Sequence, residues 1–218
     1  MANKKQQLEV PSIPSLGFAP EGYQRSYFTE INGALNGYFR SLISTMGALF
    51  GIRGARFLNN PYGEFQDTTD QVAANTTTAY PITFNTTDLS NGVTLSNSSR
   101  INVSDSGIYE INFVAQLKNT VNDSEDIDIW FRKNGTNVDG SNKRFGLSAR
   151  KSSGTPSHMV AAMNFFIELI ENDYVEIVFS VSNVGVSLEH FSGGSSPTRP
   201  SVPSIVLTVA FISNLPTI

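Results

Sequence analysis

Gly107-Ile-Tyr-Glu-Ile-Asn-Phe-Val-Ala-Gln-Leu117 puts apolar side chains at Tyr109, Ile111, Phe113, Ala115 and Leu117, while Glu110, Asn112 and Gln116 interrupt the alternate positions. Successive side chains of a strand leave opposite faces of a sheet, so this alternation predicts a half-buried strand. The same period recurs downstream. Met163/Phe165/Ile167/Leu169, Val175/Ile177/Phe179/Val181 and Ile205/Leu207/Val209/Phe211 are each expected to face inward. Repeated short alternating segments point to an antiparallel sandwich and away from an enzyme built on βαβ units.

Further strands are expected at 80–84, 92–95, 100–103, 107–118 and 126–133, then at 143–147, 158–169, 174–181, 184–191 and 204–212. Asn134-Gly135 is a two-residue hairpin signal, and Glu171-Asn-Asp173 is read as the turn between two strands. Roughly ten strands in roughly 150 residues call for two packed sheets, most simply a jelly roll. The fold class expected is therefore mainly β: a jelly-roll sandwich preceded by an extended arm and one amphipathic helix.

The arm is residues 1–25. Pro11, Pro14 and Pro20 block helix, while Leu8, Val10, Ile13, Leu16 and Phe18 are more apolar than a solvated tail requires. These side chains are expected to lie on another subunit. Residues 26–54 follow as the helical segment, with Ser26 as candidate cap. Phe28, Ile31, Leu35, Tyr38, Leu42, Met46 and Leu49 recur at spacings of 3-4-3-4-4-3, one continuous seam for oligomerisation or docking. Gly33, Gly37, Gly47 and Gly51 fall on the same segment. Each interior glycine costs about 1 kcal/mol against alanine, and close approach of another backbone is the compensation expected. Asn59-Asn60-Pro61-Tyr62-Gly63 reads as turn chemistry, so the β-domain is placed at 64–213.

Composition narrows the function. With 218 residues, 39% hydrophobic and 16% charged, the chain has material for a core but a sparsely charged surface. A net charge of −4 with no long basic run disfavours a grip on nucleic-acid phosphates. Cysteine is absent, which removes disulfides, thiolate metal sites and thiol nucleophiles. The apolar stretch 42–52 is too short and glycine-rich to span a bilayer. No apolar signal core precedes the first prolines, so intracellular synthesis followed by assembly is expected.

Phe84, Asn91, Leu95, Ile101, Gly107, Tyr109, Ile111 and Phe113 resemble the spaced aromatic–asparagine–glycine–tyrosine signature of complement globular-head domains. Isoleucine stands at 101 and 111, where that family often has aromatics. The resemblance covers residues 64–213 and implies the tumour necrosis factor fold, a jelly roll that assembles as a tight trimer. Pro61-Tyr-Gly-Glu-Phe-Gln-Asp-Thr-Thr-Asp70, Asp128-Ile-Trp-Phe-Arg-Lys-Asn-Gly135, Glu171-Asn-Asp-Tyr-Val-Glu176 and Ser196-Pro-Thr-Arg-Pro200 look like the version found in structural proteins of tailed bacteriophages. That likeness implies a virion component with an N-terminal anchor.

Chemistry-bearing residues are few. His190 continues the Val184/Val186/Leu188 face and is expected at the core or a strand end, and His158 at a solvated strand end. No nucleophile elbow, zinc-protease motif or phosphate-binding glycine loop occurs. Asp123-Ser-Glu-Asp-Ile-Asp128 lacks the spacing of a calcium loop. The asparagine sequons at 75, 85, 97, 102, 122 and 134 read as turn and strand-surface polarity, and 192–203 as an exposed tip or a crossover. Trp130 falls opposite Ile127, Ile129 and Phe131, available to an interface or a ligand. The expectation is a non-enzymatic virion structural protein without metal or cofactor: a homotrimer anchored by arm and helix, serving as head fibre, decoration or tail-associated component. The alternatives are a fibre tip binding a host receptor or glycan and, from another class, a carbohydrate-active enzyme on a β-scaffold.

Overall fold

The computed structural model describes residues 11–16, 18, 20–50 and 60–215. Leu8 and Val10, the side chain of Leu49, and residues 51–59 at the expected end of the helical segment lie outside the described residues. The chain divides into two units, Met1–Asn59 and Asn60–Ile218.

Among its described residues the first unit contains one helix, α1 (Arg25–Phe50). It starts one residue before the expected position, so Ser26 lies inside the first turn and does not cap it. The opening backbone bond runs from Phe28 N–H to the Gln24 carbonyl.

The second unit is mainly β. Its first strands are β1 (Tyr62–Asp67), β2 (Gln71–Val72), β3 (Tyr80–Pro81), β4 (Thr86–Asn91), β5 (Val93–Ser96) and β6 (Arg100–Val103). The long β7 (Gly107–Asn119) and β8 (Glu125–Lys133) follow, then β9 (Thr136–Asn137), β10 (Lys143–Leu147) and β11 (Ser157–Leu169). The chain closes with β12 (Tyr174–Val181), β13 (Val186–Leu188), β14 (Gly194–Ser195), β15 (Thr198–Arg199) and β16 (Ile205–Ser213).

Two antiparallel sheets form. One runs β2-β13-β7-β16-β1-β4, with β11 along the opposite side of β7; the other runs β10-β8-β12-β6-β5, with β3 beside β12 and β9 beside β8. The long strands thus fall in the orders β1-β16-β7-β11 and β6-β12-β8-β10. The chain passes repeatedly from sheet to sheet, the arrangement of a jelly roll.

The alternation read from the sequence packs the space between the sheets. Tyr109, Ile111, Phe113, Ala115 and Leu117 of β7 are buried against Ile127, Ile129 and Phe131 of β8. Phe113 meets Phe131 edge-on at 6.3 Å between ring centroids, and Phe131 meets Phe165 at 5.3 Å. Each fully buried side chain of this size contributes about 1.5–3 kcal/mol.

Four expectations change. Tyr62 and Gly63, read as turn, open β1, because the alternation begins there: Gly63, Phe65 and Asp67 point inward. A side chain at Gly63 would lie 2.6 Å from the Phe65 ring. The 184–191 strand shrinks to β13, and 80–84 to β3, as loops draw away the flanking residues. Thr86–Asn91 was not expected as a strand; it is the polar edge of its sheet, where neither face needs an apolar pattern. Between 192 and 203 the chain forms the small β14–β15 hairpin.

Turn chemistry behaves as its residues require. Asn134 and Gly135 take φ values of 48° and 82°, the positive pair a tight hairpin turn needs. Asn134 also accepts from Tyr174 N–H and donates to Asp173, tying this turn to the start of β12.

Candidate functional site

The helix seam is built from side-chain spacing. At about 100° per residue, Phe28, Ile31, Leu35, Tyr38 and Leu42 lie on one face of α1. Phe39, Ile43 and Met46 widen that face. None of the helix residues whose burial is described is buried. Ile31, Leu35, Tyr38 and Leu42 are half-buried, while Phe28, Phe39, Ile43 and Met46 are exposed. At the start of the helix, Tyr23 stacks on Phe28 at 5.3 Å, and Tyr27 meets Phe28 edge-on at 5.7 Å.

The arm is partly brought to the helix. Ser15 and Leu16 line a shallow pocket with Tyr27, Glu30, Ile31 and Ala34. Ile13 and Phe18 project into solvent, with 85% and 102% relative exposure. Five apolar side chains from the arm and seam that sequence placed on a partner (Ile13, Leu16, Phe18, Phe28 and Met46) are therefore exposed in the single chain.

The glycines take a different place from that expected. Gly33, Gly37 and Gly47 project about 180° from the seam, on the face carrying Ser26, Arg40 and Ser44. A side chain at any of the three would meet nothing within 4 Å. Seam and glycines are two faces, and close approach along the seam does not account for the glycines.

The β-domain carries a second apolar surface that sequence reading left unmarked. On the outer face of the first sheet, Val114 of β7 sits between Ala162 of β11 and Val206 of β16. Glu110 sits between Phe166 and Ala210 in the same way. Val114, Val160 and Phe166 are 42%, 55% and 58% exposed. The signal was present in the even positions of β11 (Val160, Ala162, Phe166), but register was needed to join them to β7 and β16.

Charged side chains gather where β7, β11 and the segment after β13 meet. Glu189 accepts from Lys118 at 2.9 Å and pairs with His158 Nε2 at 2.7 Å. Lys118 Nζ also lies 3.5 Å from Asp70, whose other oxygen accepts from His190 N–H at 2.8 Å. Burial alone would pull the Lys118 ammonium down, but Glu189 and Asp70 outweigh it and hold the pKa above its ordinary value. His158 is thus hydrogen-bonded to Glu189, with its ring against Phe191 at 5.2 Å. His190 is half-buried just beyond β13.

The acidic run 123–128 starts in the bend before β8 and continues into it as Glu125, Asp126 and Asp128. Asp128 takes a two-pronged contact from Arg144 at 2.9 and 3.0 Å, and Glu125 accepts from Ser182 at 2.5 Å. Among the described residues no group of three or more histidines, aspartates or glutamates gathers to hold a metal ion. Trp130 is half-buried and donates to Asn137 at 2.9 Å, a contact within its own hairpin. Asn97 and Asn134 adopt positive φ in turns, and Asn75 accepts from Thr77 N–H, the local roles expected of turn asparagines. No described helix is long and apolar enough to cross a membrane. No family model matches the sequence, and no curated protein is significantly similar to it.

Proposed function

We propose that this chain is a non-enzymatic structural protein of a bacteriophage virion, attached by its N-terminal arm and helix and displaying a homotrimeric jelly-roll head. The observation that carries the reading is a contrast in burial. The β-domain closes a continuous core from its own strands, whereas α1 buries none of the seam side chains whose burial is described. An isolated helix draws little stability from propensity alone, and most helical stability comes from packing an apolar face. A seam this long calls for a partner, and copies of the same helix supply a matching one.

Two further features support the trimeric head. The strand orders β1-β16-β7-β11 and β6-β12-β8-β10 are those of a jelly roll, the fold implied by the resemblance to complement-type heads. The outer face around Val114, Val160 and Phe166 is an apolar surface that subunits of a trimer can share. The bacteriophage assignment rests on the sequence likeness.

Mass measurement by light scattering on the full chain tests the assembly. A trimer is expected, with Leu35→Asp plus Leu42→Asp lowering the mass while leaving the β-sheet signal in circular dichroism unchanged. A wild-type chain that stays monomeric at micromolar concentration would overturn the reading.

A further inference from the structure

A cleft of about 230 Å³ opens between β2 and β3, strands that belong to different sheets. Its walls include Asp70, Thr69 and Thr83, with Tyr80 supplying aromatic surface over the buried Phe179. Of the sequence motifs only the Pro61–Asp70 stretch reaches it, through Thr69 and Asp70, because its other residues come from two two-residue strands, the loop after β3 and β12.

The hydrogen-bond directions decide what it can hold. Donors around the cleft are spent inward. Thr69 donates both its N–H and its hydroxyl to Asp67 Oδ1, at 2.8 and 2.5 Å. Thr83 donates its hydroxyl to Asp67 Oδ2 at 3.2 Å and its N–H to Gln71 at 2.8 Å. Position 81 is proline and has no N–H to give. Apart from the Tyr80 hydroxyl, which can donate as well as accept, what faces outward is therefore acceptor: threonine hydroxyl lone pairs and the half-exposed Asp70 carboxylate.

Charge points the same way. Lys118 sits closer to Glu189, at 2.9 Å, than to Asp70, at 3.5 Å, so most of its charge is matched by Glu189. Asp67, buried behind the two threonines, is held by hydroxyl and amide donors from Thr69, Thr83 and Asn85. The cleft is thus net negative as well as acceptor-rich. Asp70 is held in place by His190 N–H at 2.8 Å. Tyr80 is fixed by Asn75 N–H to its hydroxyl at 3.1 Å and packs on Phe179 at 5.9 Å.

We propose that this cleft binds a guanidinium group, as on an arginine side chain of a partner protein, with its N–H donors on Asp70 and its plane against Tyr80. A guanidinium offers only donors, in a planar fork that matches a carboxylate, and it stacks on aromatic rings. A sugar, whose hydroxyls donate and accept in equal measure, finds few donors here. The proposal is independent of how the helix attaches.

Saturation-transfer NMR on the full chain, with N-acetyl-arginine methylamide as probe, tests it, with glucose and N-acetyl-lysine methylamide as comparisons. Saturable arginine binding is expected, weaker lysine binding, and no glucose signal. Asp70→Asn should weaken the arginine probe by about tenfold or more, the scale of a lost charge-assisted hydrogen bond. Lys118→Met, which removes the opposing ammonium, should strengthen it, a readout that holds even if Asp70→Asn perturbs folding. No saturable arginine signal, preference for glucose, or weaker binding in Lys118→Met would each overturn the proposal.

Discussion

Gly107 has no room for a side chain. A β-carbon there would lie 2.3 Å from the Phe211 ring and 2.8 Å from the Ser213 carbonyl oxygen, and Phe211 itself packs edge-on against Tyr109 at 5.6 Å. Backbone cannot yield as a flexible side chain can, so Gly107→Ala should cost about 1–3 kcal/mol in a denaturant melt. Tyr109 is the neighbouring test. It is fully buried, its hydroxyl donating to the Asp105 carbonyl at 2.7 Å. Burial, with the Asp105 charge adding to it, pushes its pKa from 10.0 up to about 12. The neutral phenol is therefore favoured in the folded state, and the stability this contributes is complete below pH 10 and lost as pH rises from 10 to 12. Urea melts at pH 9 and pH 11 should show a larger loss for wild type than for Tyr109→Phe. Equal losses would mean the phenol ionises as freely folded as unfolded.

At the scale of elements, α1 has two faces with different chemistry. The seam was legible because residues three and four apart line one side of a helix, and that rule needs no tertiary context. The same 100° step places the glycines opposite the seam, so that face too was legible from the sequence, and what the structure adds is the open space beside it. Gly33→Ala and Gly37→Ala should each stabilise the helix by about 0.5–1 kcal/mol, as the added methyl meets nothing within 4 Å. Helical circular dichroism should rise with no change in assembled mass. A fall in mass would show that the glycine face packs against a partner backbone. Among the strands, β11 is the one to watch: thirteen residues long, it pairs with β7 alone, and its outward side chains include Val160 and Phe166. Natural edges are usually blunted by charge, proline or bulges, and this one carries only His158 and Glu168 as titratable side chains.

For the whole molecule, the division into Met1–Asn59 and Asn60–Ile218 sets the decisive truncation. The arm and helix offer apolar side chains with too little chain around them for a core, whereas the sheets close theirs with Tyr109, Phe113, Phe131 and their neighbours. Deleting residues 1–59 should leave a β-protein that melts cooperatively by calorimetry and no longer incorporates into particles. Incorporation of the truncated chain would move attachment to the head. Failure to fold would make the helix part of the core. Restoring the helix with Leu35→Asp and Leu42→Asp should reproduce the truncated phenotype if the seam is what attaches.

The existence and inward face of the long strands β7, β8, β11, β12 and β16 were determined by the sequence alone, because period two is a local property of the backbone. β7, β12 and the seam of α1 followed from counting positions. Tertiary structure decided whatever depends on partners distant in the chain. It made Tyr62 and Gly63 strand where they read as turn, by pairing them with Asn91 and Ser90 of β4. It made the polar Thr86–Asn91 an edge strand through pairing with β1. It drew Val114, Val160 and Phe166 onto one outer face through register between strands far apart in sequence. The cleft at Asp70 and Tyr80 depends wholly on such pairing: its acceptors face outward only because the donors of Thr69 and Thr83 are drawn inward to Asp67 and Gln71.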